Sequence, residues 1–138
     1  MPAKLIEQKD NRVTIQLTVE LTGQMLTDEQ ALQQSLNEAG QVAMVPMIKQ
    51  FDTHGESIRV QGVKHTVKNY ALQTYETPYG PVQVERHTYQ TCKGGRAYVP
   101  LENDARMLLN STPRYSQVVA GKYARFGADA ICEDLLEC

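Results

Sequence analysis

The residues of this chain best suited to chemistry are cations set among tyrosines. Lys64, Lys68, Arg86, Lys93 and Arg96 fall in the same stretch as Tyr70, Tyr75, Tyr79, Tyr89 and Tyr98. Ammonium and guanidinium groups neutralise phosphates and release counterions, and tyrosines stack on bases or bond to a phosphodiester backbone. The ordinary alternative is packing: the chain has no Trp and only 2 Phe, so at least half of these tyrosines are expected in the core. Arg114, Lys122 and Arg125 add basic groups further along. These eight cations are the candidate contacts to double-stranded DNA.

Charge is strongly segmented. Residues 1–56 sum to −4, residues 57–127 to +6 and residues 128–138 to −4, so the overall −2 conceals a basic middle. Such asymmetry suits a polyanionic partner, although lysines along exposed strands give the same pattern.

Other chemistries find less support. Cys92, Cys132 and Cys138 include no CxxC pair, and a structural zinc site usually takes its ligands in two close pairs. His54, His65 and His87 join no nucleophile motif, and no GxSxG, HExxH or P-loop is present. Asp129, Glu133, Asp134 and Glu137 crowd one terminal segment, which reads as a solvated face rather than a two-metal site. No catalytic residue, metal or cofactor is therefore assigned. No 18-residue apolar run and no signal peptide is visible, so a cytoplasmic protein without a membrane span is expected.

The elements that position the cations can be read from periodicity. Arg12 to Leu21 alternates strictly, with Val13, Ile15, Leu17, Val19 and Leu21 on one face, and predicts a strand. Thr27 is placed as the N-cap of a long amphipathic helix carrying Leu32, Leu36, Ala39 and Ala43, with Gln30 completing a capping box. Pro46 predicts a kink or break near residues 44–46. A short strand and turn are expected over residues 57–67. A meander follows: a strand at Leu72–Thr77, the turn Pro78-Tyr79-Gly80, a strand at Val82–Thr91, the turn Lys93-Gly94-Gly95 and a strand at Arg96–Val99. Helices are expected at Glu102–Leu109, from Pro113 to Phe126 with Thr112 as N-cap and Gly127 as the stop, and at Ala128–Leu136. The fold class is thus α+β, in three parts: a strand-and-helix lobe at 1–56, an antiparallel β-meander at 57–100, and a C-terminal helical hairpin, helix-turn-helix-like, at 101–138. An acidic last helix repels phosphate, so Pro113–Phe126 would carry any DNA contact in that pair. The long helix could also pair with a copy of itself.

These pieces occur in an ordered run: VTIQLTVELTG, LNEAGQVA, FDTHGESIRVQGVK, YETPYGPVQVERHTYQ, KGGRAYVPLENDARML and TPRYSQVVAGKYARFGADAICEDL. The run resembles the N-terminal, non-catalytic part of the ISKra-group insertion-sequence transposases, over roughly Val13 to Leu136. The resemblance implies a segment that recognises transposon-end DNA or helps assemble the transposition complex, without catalysis of its own. In the family a DDE-type nuclease core follows. Here the chain stops at Cys138, as a decayed remnant, a frameshifted first frame or a domesticated protein would. The paired cysteines that some relatives place on such hairpins are missing. The resemblance also leaves open a module that oligomerises or inhibits an intact transposase.

Overall fold

The computed structural model describes residues 3–126, with side chains as far as residue 121. Nine elements follow in order: β1 (Ala3–Lys9), β2 (Arg12–Leu17), α1 (Met25–Lys49), β3 (Ile58–Val60), β4 (Val63–Tyr75), β5 (Val82–Thr91), β6 (Gly94–Tyr98), α2 (Pro100–Asp104) and α3 (Pro113–Phe126). β1 and β2 form a two-stranded sheet, and β3-β4-β5-β6 a four-stranded antiparallel meander. The α+β class stands as expected.

Tight turns fix both sheets. Lys9 pairs with Arg12 across Asp10 (φ 50°) and Asn11 (φ 62°). Val60 pairs with Val63 across Gln61 (φ 52°) and Gly62 (φ 80°). Positive φ at both central residues defines the type I′ turn, whose twist matches that of paired strands. The strand expected at Arg12–Leu21 ends at Leu17, and its partner β1 was not anticipated.

α1 touches both sheets, lying against β1 and β2 on one side and β5 on another. The core follows from this: Met44 and Ile48 of α1 meet Tyr75, Val82, Val84 and Leu101, with Val99 and Met107 packed against them. The N-cap is Gln24, not Thr27, and it makes no side-chain capping bond. Instead the Asp28 carboxylate accepts the backbone N–H groups of Thr22 and Gly23, at 3.0 and 3.3 Å, and bends the chain into the helix. Pro46 does not break α1, which runs on to Lys49. So close to the end a proline removes a single helical bond, and buried Met44 and Ile48 hold the last turn in place.

Two expected lengths are corrected. β4 covers 13 residues, whereas its first part was read as a short strand and turn. A register shift between Val67 and Asn69 explains this, because a bulge flips the face presented by the following residues and blurs a period of two. α2 stops at Asp104 rather than Leu109, and Arg106, Leu109 and Asn110 all take positive φ. α3 has the expected bounds, and the Thr112 hydroxyl caps it by accepting the Tyr115 N–H at 3.4 Å. Gly127 as a stop and Ala128–Leu136 as a helix lie outside the described residues, and the helix-turn-helix expectation with them.

The β4–β5 turn is clamped to α1. Gln41 donates to the Tyr79 carbonyl at 2.7 Å, and the Tyr79 ring lies where a Cβ at Gly40 would stand, 2.2 Å from the nearest ring carbon. Two effects compete in Gly40→Ala: alanine favours the helix by about 1 kcal/mol, whereas the clash involves the rigid root of the tyrosine and costs about 1–3 kcal/mol. The clash should win. Urea unfolding of Gly40→Ala should show a lower midpoint than wild type, and in the Tyr79→Ala background the deficit should shrink without vanishing, because the Tyr79 Cβ alone would still stand 2.8 Å from the new methyl.

Candidate nucleic-acid interface

The register gathers four cations at one end of the meander. Arg59 of β3 pairs directly with Lys64 of β4. Thr66 pairs with Gln90, so Lys64, two residues before Thr66, lies at the same end as the Cys92–Lys93 turn, two residues beyond Gln90. Arg96 follows on β6. All four are exposed, as is Lys68 at the β4 bulge. Among the described residues no carboxylate lies within ion-pairing distance of any of these five; the three ion pairs there involve Lys49, Arg86 and His87 instead. Glu85, which pairs with Leu72, and Glu76, which follows β4, sit towards the other end, whereas Glu56 stands just before β3 with its carbonyl accepting the Tyr89 hydroxyl. Like charges directly opposite each other on a sheet destabilise it by a few tenths to about 1 kcal/mol, so an anion bound across Arg59 and Lys64 would relieve a repulsion. Arg59 was not among the sequence candidates; the Gln61-Gly62 turn was the signal that would have placed it opposite Lys64.

Arg86 is corrected. Its side chain is only 12% exposed and pairs with Glu102 at 3.5 Å. Its Nε donates to the Tyr75 hydroxyl at 2.9 Å, and that hydroxyl donates to Glu102 at 2.7 Å. Burial first, then the Glu102 carboxylate, pushes the Tyr75 phenol far above its usual pKa, against the opposing pull of Arg86. Arg86 thus holds the core to α2 and is withdrawn from any phosphate. Tyr75 and Tyr89 are fully buried, as the packing alternative for the tyrosines requires. Tyr98 faces His65 edge-on at 6.2 Å. Tyr70 and Tyr79 are about half exposed, at 47% and 45%. Arg114 is exposed on the first turn of α3 and donates to Gln117. Lys122 and Arg125 lie on α3 beyond the described side chains.

A second polar cluster escaped the sequence reading. Asp52, just past α1, has a side chain 2% exposed. It accepts the His87 backbone N–H at 3.1 Å, the His87 ring at 2.9 Å and the Lys49 ammonium at 3.1 Å. Lys49 also donates to the Glu85 carbonyl and the Tyr70 hydroxyl, and Tyr70 stacks on His87 with centroids 4.5 Å apart. The helix end thereby satisfies the stretch of the β5 edge that β6 does not reach. Thirty-five residues separate Asp52 from His87, and no local pattern announces such a pairing. Among the described residues no three His, Cys, Asp or Glu side chains converge to hold a metal ion, and Cys92 is exposed.

No family model, curated protein or solved structure matches this chain. No described helix is long and apolar enough to cross a membrane.

The Asp52 cluster gives a pH dependence. Burial opposes ionisation of Asp52, but the His87 N–H, the His87 ring and Lys49 outweigh it, so the carboxyl sits below its ordinary 3.8. A depressed pKa stabilises the fold above the unfolded value and loses that contribution as pH falls through the folded one. Asp52→Asn should therefore lower stability at pH 7 by about 2 kcal/mol or more. Its deficit against wild type should shrink as denaturation is repeated below pH 3.8. A deficit independent of pH would mean that the carboxylate charge contributes nothing.

Proposed function

We propose that this chain is a DNA-binding segment without catalytic activity of its own, of the kind that precedes the nuclease core of insertion-sequence transposases. On this reading it holds transposon-end DNA for a nuclease supplied elsewhere. One observation carries it: Arg59, Lys64, Lys93 and Arg96 share one sheet end, exposed and without a carboxylate partner among the described residues. Such a cluster binds phosphates before it reads bases, so affinity for any duplex comes first and preference for terminal repeats second. Tyr70 and Tyr79 are the half-exposed rings left for contact once Tyr75 and Tyr89 are assigned to the core. Lys68 flanks the cluster and Arg114 offers a further charge on α3.

Affinity for duplex DNA should fall steeply with salt, with a slope of about −4 in log K against log salt if four phosphates are neutralised. The double variant Lys93→Glu with Arg96→Glu should weaken every duplex alike, by about tenfold or more, in a fluorescence anisotropy titration. Arg86→Lys should instead lower the unfolding midpoint and leave the affinity of the folded protein unchanged. A flat salt response, or binding untouched by the double reversal, would remove this sheet end from the interface.

A further inference from the structure

α1 carries an apolar stripe that the sheets cover only in part, the β1–β2 turn standing across a cavity from Met47. Met25, Leu32, Leu36, Ala39, Ala43 and Met47 lie along it. At 3.6 residues per turn they fall within a band of about 80°. Met25, Leu32, Leu36 and Met47 are 74%, 45%, 48% and 46% exposed, and Leu21 and Leu26 extend the apolar surface at 82% and 68%. The Tyr79 ring over Gly40 bounds the stripe on the side of the four-stranded sheet. From Leu32 the steps are four, three, four and four residues, and Glu29 holds the position between Met25 and Leu32; a spacing of threes and fours marks a seam between paired helices.

We propose that this stripe binds the same stripe of a second copy, the two helices running antiparallel about a two-fold axis beside Leu36. Side-chain size and charge select this arrangement. With the axis at Leu36, Met25 of one copy meets Met47 of the other, Leu32 meets Ala39, and Glu29 meets Ala43, the space beside Gly40 being filled already by Tyr79 of the same copy. Large residues fill the space left by small ones, as close packing requires. A parallel pair would instead set Leu32 on Leu32, leave a gap between facing alanines, and place Glu29 against Glu29, where like charges repel. The antiparallel pair also opposes the two helix dipoles.

The area suffices for a modest dimer. The four large stripe residues expose on the order of 400 Å² per copy, and Leu21 and the polar rim carry the total towards the roughly 1,200 Å² of the smaller stable interfaces. An isologous contact of this kind closes on itself and stops at two copies. The inference is independent of the DNA reading and is tested without DNA.

Sedimentation of the full chain from about 1 to 200 μM should show a monomer–dimer equilibrium with a dissociation constant in the micromolar range. Leu36→Glu should be monomeric throughout, with an unchanged far-ultraviolet circular dichroism spectrum and unfolding midpoint, because Leu36 is half exposed in the monomer. Orientation is read by oxidation in a background with Cys92, Cys132 and Cys138 changed to Ser. There, Leu36→Cys should cross-link to itself. A Met25→Cys variant should not cross-link alone but should do so when mixed with a Met47→Cys variant. A chain monomeric at every concentration, a Leu36→Glu dimer, or self-linking by the Met25→Cys variant would each overturn the proposal.

Discussion

One buried carboxylate sets the relation between helix and sheet. Asp52 leaves the end of α1 and bonds both the backbone and the ring of His87 on β5, while Lys49 takes the Glu85 carbonyl of the same strand edge. Desolvation disfavours the Lys49 ammonium, but the Tyr70 hydroxyl and Asp52 outweigh it and hold its pKa above the ordinary value. A strand edge needs partners for its N–H and C=O groups, and here a helix terminus provides them. The anchoring fixes how far α1 reaches across the sheet, and so which helical residues cover Tyr75, Val82 and Val84. Met44 and Ile48 sit about two turns and one turn before Asp52 and make that contact. At the other end of the contact, Gln41 and Gly40 receive the β4–β5 turn. The helix is pinned twice, and the core lies between the pins.

The meander uses the same residue type in two opposite ways. Arg86 enters the interior, where Tyr75 and Glu102 meet its donors and the ion pair is only partly wet. Losing either partner there would strand a charge at a cost of about 3–5 kcal/mol. Arg59 and Arg96 stand in water without a carboxylate, and their removal leaves no orphan behind. A cation of the first kind is structural and tolerates no competing anion. One of the second kind is free to gain a phosphate. Sequence proximity does not separate the two classes, since Arg86 and Arg96 belong to adjacent strands; burial and pairing do.

The sequence was legible wherever a local pattern coincided with a local structure. The alternation from Val82 to Thr91 and Thr112-Pro113 at a helix start each carry their cause within a few residues, and β5 and α3 appear where expected, whereas the turn after β5 is Cys92-Lys93 and the two glycines expected in it already belong to β6. The misreadings share a different origin. β1 hides because Leu5 and Ile6 stand side by side, and the bulge between Leu5 and Glu7 breaks the alternation. β4 was cut short for the same reason at Val67–Asn69. The break that Pro46 allows does not occur, because its cost depends on distance from the helix end and on the burial of Met44 and Ile48, neither of which a proline reports. At the candidate site the exposed Lys64, Lys68, Lys93, Arg96 and Arg114 were nameable from composition. The interior fate of Arg86 was not, because it depends on Glu102 being carried back over β5 by a helix 16 residues away.

The pairing order of the four-stranded sheet has a kinetic meaning. Every strand pairs only with its neighbours in sequence, and type I′ or glycine-bearing turns join most of them. Hairpins of this kind close in about 1–10 μs, and each can template the next without a long loop. The contacts of α1 with β5 close much longer loops, of which the 35-residue span from Asp52 to His87 is typical. Loop closure of that length carries a larger entropic cost than a two-residue turn. The meander is therefore expected to form as a zipper of local events, with the docking of α1 on the β5 edge as the later step.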